Sequence, residues 1–328
     1  MVGTGRAAQP KRMGRAAASR QHVYEHHAAF DHRILSGRLS VVDAAWIALS
    51  VIRGLGGKTL HALIDHYGAP DAILGASASD LRRVRGIGPT LSAAITAVNL
   101  PEVERALARW QDRGVCVITL DDPAYPPALR MLDDAPPTLF AKGQWPCMTD
   151  RAVAIVGTRT ASPRALALAQ RVAGDLAEQS VTVVSGLALG IDSAAHIGAL
   201  ATTCGMTVAV LGSGLFDIYP PEHAGLAAAI ERRGALVCEI RPDARVNTPA
   251  LVARNRIISG LSQCVLVVQT DADGGALHAA RAALAQGRRV CYVDDPLGNT
   301  NAGRGINALR ELGAEPLPPD LSINALLG

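Results

Sequence analysis

The chain lacks any apolar run approaching the roughly 20 consecutive residues that a membrane-spanning helix needs. Its hydrophobic residues come in short stretches broken by Gly, Pro or charge, so no transmembrane segment is expected. The first 20 residues scatter Arg6, Lys11, Arg12, Arg15 and Arg20 among Ala and Gly, without the apolar core of a secretory signal. Residues 1–40 read as a disordered basic leader. Six cysteines, at 116, 147, 204, 238, 264 and 291, include no close pair and no His at metal-ligand spacing, which argues against zinc. Cys116, Cys238, Cys264 and Cys291 lie in or beside apolar runs, where a thiol acts as a small hydrophobe in a reduced cytosol. Strong charge is missing as well. The formal total is +3, and residues 1–40 alone carry +5 (Arg6, Lys11, Arg12, Arg15, Arg20, Arg33 and Arg38 against Glu25 and Asp31), leaving −2 for the remainder. A phosphate ligand would have to be held by a local patch, not by a global field.

What is present is a chain of 328 residues with 49% hydrophobic content, enough for two domains and a sizeable core. Residues 41–98 are helical in pattern and carry one short motif twice: Ile52-Arg53-Gly54-Leu55-Gly56-Gly57-Lys58-Thr59 and Val84-Arg85-Gly86-Ile87-Gly88-Pro89-Thr90. In each, Gly-apolar-Gly separates an apolar segment from an amphipathic one. The glycines permit a tight turn that leaves backbone N–H groups free at the next helix start. Such a start can hold a DNA phosphate without reading a base, with Gly54, Gly56, Lys58, Gly86 and Gly88 as candidate backbone contacts. The pattern resembles a paired helix-hairpin-helix; a helical packing module without DNA contact fits it too.

Residues 115–143 are rich in turns, with Asp121-Asp122-Pro123-Ala124-Tyr125-Pro126-Pro127 and Ala135-Pro136-Pro137, and place a domain boundary there. Beyond 151 the pattern changes. Apolar strands at 152–156, 181–184, 207–211, 235–238, 265–268 and 290–293 alternate with helices at about 163–179, 190–203, 221–233, 248–262 and 274–286. Continuous apolar strands separated by helices predict a parallel sheet covered on both faces. The expected fold is α/β: a Rossmann-like parallel-sheet domain at 151–318, preceded by a small all-α helix-hairpin-helix domain at 41–100 and a connector at 101–150, with a tail at 319–328.

Ligands of such sheets bind beyond the carboxyl ends of the strands. There the chain places Gly157-Thr158-Arg159, Ser185-Gly186-Leu187-Ala188-Leu189-Gly190-Ile191-Asp192 and Gly212-Ser213-Gly214. Gly and Ser let a phosphate approach the backbone, and Arg159 can grip it with two parallel hydrogen bonds. Arg254-Asn255-Arg256 opens a further helix with two guanidinium groups around one amide; ordinary salt bridges at a solvated helix start would explain it equally well. The first turn, Gly-Thr-Arg-Thr-Ala-Ser, is not the Gly-x-Gly-x-x-Gly of a dinucleotide fold, and no acid ends the second strand, so no cofactor is expected. Asp192 and His196 stand at i and i+4, yet no Ser, Cys or metal ligand is tied to them at a recognisable spacing. Asp192 is read as orienting the helix start and His196 as packing there, and no catalytic residue is assigned.

Tyr125-Pro126, Gly157-Thr158-Arg159, Ser185-Gly186 through Ile191-Asp192 with Ala195-His196, Leu211-Gly212-Ser213-Gly214, Tyr219-Pro220, Arg254-Asn255-Arg256 and Gly305-Ile306-Asn307 occur here in an order that resembles the DprA/Smf family of DNA-processing proteins. The resemblance covers 115–315. It implies a cytoplasmic, non-enzymatic protein of natural transformation and recombination that binds and protects single-stranded DNA in a basic pocket, loads the RecA recombinase onto it and forms a homodimer. By motif match, Arg159, Arg254 and Arg256 are the implied phosphate contacts, alongside Thr158 and Asn255, with Ser185, Gly186, Gly212, Ser213 and Gly214 shaping the pocket next to Gly157. The chain departs from the family pattern at Leu251-Val252-Ala253, where Phe-Pro is usual, at Gln269-Thr270 and Gly274-Gly275-Ala276-Leu277, and at Asp294-Asp295-Pro296. Little sequence follows Leu317-Pro318-Pro319, so the C-terminal winged-helix-like domain of many relatives is not expected here. The rival reading is a nucleotide-binding hydrolase of the phosphoribohydrolase-like Rossmann class, although Asp273-Gly274-Gly275-Ala276 lacks that class's Thr and acid. A diverged member acting through protein contacts is the third.

Overall fold

The computed structural model describes residues 41–120, 122–145, 151–295 and 302–327. The basic leader at 1–40 and Cys147 lie outside the described residues.

The helical part begins with α1 (Val41–Ser50), α2 (Gly57–Tyr67), α3 (Pro70–Leu74), α4 (Ala78–Leu81), α5 (Pro89–Thr96) and α6 (Leu100–Asp112). Both copies of the repeated motif fold alike. Gly54 (φ 87°) and Gly86 (φ 95°) occupy the left-handed region that glycine tolerates, at matching positions 32 residues apart. Gly56 and Gly88 then serve as extended N-caps of α2 and α5, while Leu55 and Ile87 between the glycines are buried. The contacts are reciprocal: Gly54 faces Leu91 and Gly86 faces Thr59, and these two partners are themselves 32 residues apart. Each hairpin turn thus packs on the second helix of the other. Asn99 caps α6 by accepting the Glu102 N–H, with Pro101 in the first turn.

The chain continues through β1 (Val115–Thr119), α7 (Pro127–Arg130), β2 (Thr138–Gly143), β3 (Ala152–Val156), α8 (Pro163–Glu178), β4 (Thr182–Ser185), α9 (Ile191–Ala201), β5 (Thr207–Val210) and α10 (Ala224–Arg233). It closes with β6 (Ala235–Cys238), α11 (Thr248–Ala253), α12 (Asn255–Gly260), β7 (Cys264–Val267), α13 (Ala276–Ala285), β8 (Arg289–Val293), α14 (Ala302–Glu311), β9 (Glu315–Leu317) and α15 (Asn324–Leu327). The nine strands form one sheet in the order β1-β2-β6-β5-β4-β3-β7-β8-β9. Seven of them, β3 to β9, are parallel to one another, as continuous apolar runs such as Ala152–Val156 predict.

Three expectations change. The stretch at 101–150 is more than a connector: β1 and β2 pair antiparallel and extend the sheet beyond β6. The prolines that suggested a boundary fall in the turns around these strands, where no ladder N–H is lost. Tyr125 is fully buried and donates to the Pro136 carbonyl (2.8 Å), which closes that turn. The helix expected over 248–262 breaks at Arg254 into α11 and α12. The tail at 319–328 contributes Leu321, Ile323 and Leu326 to the core cluster that α8 and α9 form against Val153, Ile155, Val183 and Leu266. Burying three such side chains outweighs leaving that segment in water.

Trp46 donates from Nε1 to the Pro137 carbonyl (2.9 Å), and Gly57 lies against the Ala135 carbonyl, so α1 and α2 are docked on the segment entering β2. Among the described residues no helix is long and apolar enough to cross a membrane.

Candidate nucleic-acid interface

The topological switch of the sheet lies between β3 and β7, where a doubly wound fold usually opens its crevice. Here that gap is bridged, because the Thr158 N–H donates to the Gln269 carbonyl at 2.7 Å. A Cβ at Gly157 would run into Ile191 and Gln269. The opening instead sits above β3, β4 and β5, lined by Arg159, Gly186, Ala188, Leu189, Tyr219, Pro220, Leu251 and Arg254.

Arg159 follows β3 and is exposed. Among the described residues it has no hydrogen-bond or ion-pair partner, so its guanidinium faces the opening uncommitted. Gly190, at φ 79°, lets the β4–α9 turn lie against the backbone of Thr158 and Arg159, and the Ile191 N–H donates to the Thr158 carbonyl (3.2 Å). The two loops therefore hold each other in place. Leu187, in the same turn, is a non-glycine residue at φ 60°, a conformation costing about 1 kcal/mol. His223 donates from Nδ1 to its carbonyl (2.8 Å), and the Leu187 side chain is fully buried, so the surroundings fix this turn.

Arg254 forms the floor. It is 6% exposed, donates to the Val210 carbonyl (3.0 Å) and stands 3.7 Å from the Asp192 carboxylate. Asp192 also accepts the Gly186 N–H (3.1 Å) at the first turn of α9. Burial pushes the Asp192 carboxyl up, opposed by Arg254 and the backbone donors; burial lowers Arg254, opposed by Asp192. A Cβ at Gly186 would land on the Arg254 guanidinium. That glycine is demanded by the protein's own arginine.

The other expected site residues separate. Ser185 donates to the Ile155 carbonyl (2.6 Å) and is buried. Thr158 is buried at the base of the Arg159 loop, and its hydroxyl accepts the Thr160 N–H (3.3 Å). Gly212 and Gly214 are packed against protein: a Cβ at Gly212 would lie 2.6 Å from Leu251 Cα, and one at Gly214 would press on the Pro242 carbonyl. Ser213 between them is buried, with its hydroxyl unpartnered among the described residues. Asn255 is buried on α12. Arg256 points away from the opening, paired with Glu239 and with Asp134 (3.5 Å). The structure thus brings Arg159, Gly186 and Arg254 together and leaves Arg256 elsewhere, since residues two apart at a helix start, here the N-cap Arg254 and Arg256 of α12, do not share a face. Leu189, Tyr219 and Leu251 complete the opening and were not singled out as site residues.

His196 does not meet Asp192. The Thr207 hydroxyl donates to the Val183 carbonyl (2.7 Å), so His196 Nδ1 must donate to Thr207 Oγ1 (2.7 Å). Burial first, then the positive charge of Arg254, lowers its pKa to about 3. It is a neutral packing group, as the sequence suggests. In the helical part, Gly54, Gly56 and Gly86 are exposed, Gly88 is half-buried, and Lys58 is exposed in the first turn of α2.

The family model for DNA recombination-mediator protein A matches residues 116–325. Protein Smf of Escherichia coli strain K12 is 37% identical over 257 residues, which are 77% of this chain and 67% of that protein. The X-ray structure of DNA processing protein A from Streptococcus pneumoniae matches with a TM-score of 0.72 at 26% identity, covering 89% of this chain and 99% of that one. A structure addressing the single-stranded-DNA binding mode of DNA processing protein A from Helicobacter pylori matches with a TM-score of 0.57 at 27% identity, over 65% of this chain and 94% of that one.

Proposed function

The chain belongs to the DNA recombination-mediator protein A family, and from that premise we propose that it binds single-stranded DNA at the opening above β3, β4 and β5. The observation that carries this is the uncommitted guanidinium of Arg159 at the carboxyl edge of a parallel sheet, beside the loop at 186–190. Arg254 acts from beneath: paired with Asp192, it shapes the floor and fixes the Gly186 loop, while Arg159 meets the phosphate. Arg256 is not a phosphate contact in this reading, because Glu239 and Asp134 already hold it.

The protein binds the strand and does not transform it. His196 is neutral and turned toward Thr207, Asp192 is tied to Gly186 and Arg254, and the lining residues include no nucleophile with a base beside it. Family membership supports the rest: protection of incoming DNA during transformation, loading of the RecA recombinase, a homodimer and a cytoplasmic location. The two hairpins offer the helix starts at Gly56–Lys58 and Gly88 as additional backbone contacts.

The test is fluorescence anisotropy with labelled single-stranded and duplex oligonucleotides across a salt series. Arg159→Ala is expected to weaken single-strand binding at every sequence and to lower the salt slope by about one. Failure of the wild type to bind either form would overturn the proposal.

A further inference from the structure

Tyr219 is 37% exposed and Leu189 43%, two of only five large hydrophobic residues that stand open among the described residues. Both line the opening that Arg159 guards, and a third, Val252, follows the lining residue Leu251. Ala188 and Pro220 join them, so this wall of the opening is apolar and carries one aromatic ring, with the charge confined to Arg159 and the buried Arg254. Exposed apolar surface gathered at a single concave place marks a ligand contact. A phosphate has no use for such a wall. A nucleobase does, since every base has an apolar face that stacks on an aromatic ring.

We propose that Tyr219, flanked by Leu189 and Leu251, is a base-stacking platform, on which one unpaired nucleobase rests while Arg159 holds the phosphate next to it. The inference rests on the single-strand reading given above and explains what that reading leaves open, namely how a site with one uncommitted cation prefers a single strand to a duplex. In a duplex each base is covered on both faces by its neighbours, and entry would require unstacking. An unpaired base presents its face at no such cost. The Tyr219 ring stands on the β5–α10 connection and Leu189 on the 186–190 turn, two loops anchored by the buried Pro220 and Leu187, and the base rests where these loops meet.

The test compares a labelled deoxythymidine oligonucleotide with a strand of the same length made wholly of abasic tetrahydrofuran sites, for wild type, Tyr219→Ala, Tyr219→Phe and Arg159→Ala. Tyr219→Ala is expected to lose about tenfold in affinity for the base-bearing strand with its salt slope unchanged, and to bind the abasic strand as the wild type does. Tyr219→Phe, which keeps the ring, stays within about twofold of wild type on both. Arg159→Ala loses affinity for both strands and lowers the salt slope. The platform is refuted, with single-strand binding intact, if Tyr219→Ala weakens both strands equally or neither while Arg159→Ala still weakens them. Wild-type protein that binds neither strand overturns the platform and the single-strand reading together.

Discussion

Glycine does two different jobs in the two parts of this molecule that look alike in sequence. In the hairpins, Gly54 and Gly86 are required by backbone angle: both have positive φ, and a Cβ would meet only side-chain atoms at ordinary contact distance. At the sheet edge, Gly157, Gly186, Gly212 and Gly214 have no positive φ and are required by space, since a Cβ at each would strike protein atoms. Glycine-rich turns at strand ends are commonly read as making room for a ligand's phosphate. Here the room at Gly186 is taken by Arg254 and that at Gly212 by Leu251. The protein itself fills the space at both glycines, and what stands exposed at the opening is Arg159, Leu189 and the ring of Tyr219.

The contrast can be broken experimentally at both ends. Arg254→Ala should have the largest effect, because it strands the buried Asp192 carboxylate; a loss of about 3–5 kcal/mol in chemical denaturation is expected. If Arg254 were instead an ordinary ligand contact, stability would hardly change and only DNA affinity would fall. Gly186→Ala overpacks the same place and should cost about 1–3 kcal/mol. Acidification probes the core beneath. The folded pKa of His196, about 3, lies below its ordinary 6.5, so the unfolded chain takes up the proton first and stability falls as pH drops from 6.5 toward 3. Between pH 7.5 and 5 the histidine accounts for about 2 kcal/mol, a difference that His196→Gln should remove from the stability profile. Smallest is Gly86→Ala, expected to cost about 1 kcal/mol through backbone angle alone. A cost as large as that of Gly186→Ala would mean the two glycine classes are not distinct.

The parallel strands were legible because each is an uninterrupted apolar run between helices, a pattern that few other folds produce. β1 and β2 were hidden by Asp122-Pro123 and Pro126-Pro127, which sit in the turns outside the ladder; β1 forms the sheet edge and β2 joins it to β6. Arg159 was legible from its place after the first parallel strand. Arg256 was misplaced since its direction depends on Glu239 and Asp134, remote in sequence. Tyr219 and Leu189 stand inside quoted motifs but gave no sign of lining the opening, because an apolar residue in a loop looks like any core residue until its exposure is known. The available signal was their position: both lie within a few residues of the glycine-bearing strand ends at Ser185-Gly186 and Gly212-Ser213-Gly214.

The reciprocal contacts of Gly54 with Leu91 and Gly86 with Thr59 make each hairpin to the other what one subunit of a symmetric dimer is to its twin. The partners are simply tethered, at an effective concentration that no dilution can lower. Because each turn rests on a helix of the other copy, the module is expected to melt as a single cooperative unit, and an insertion between the copies to be tolerated far better than the loss of either one.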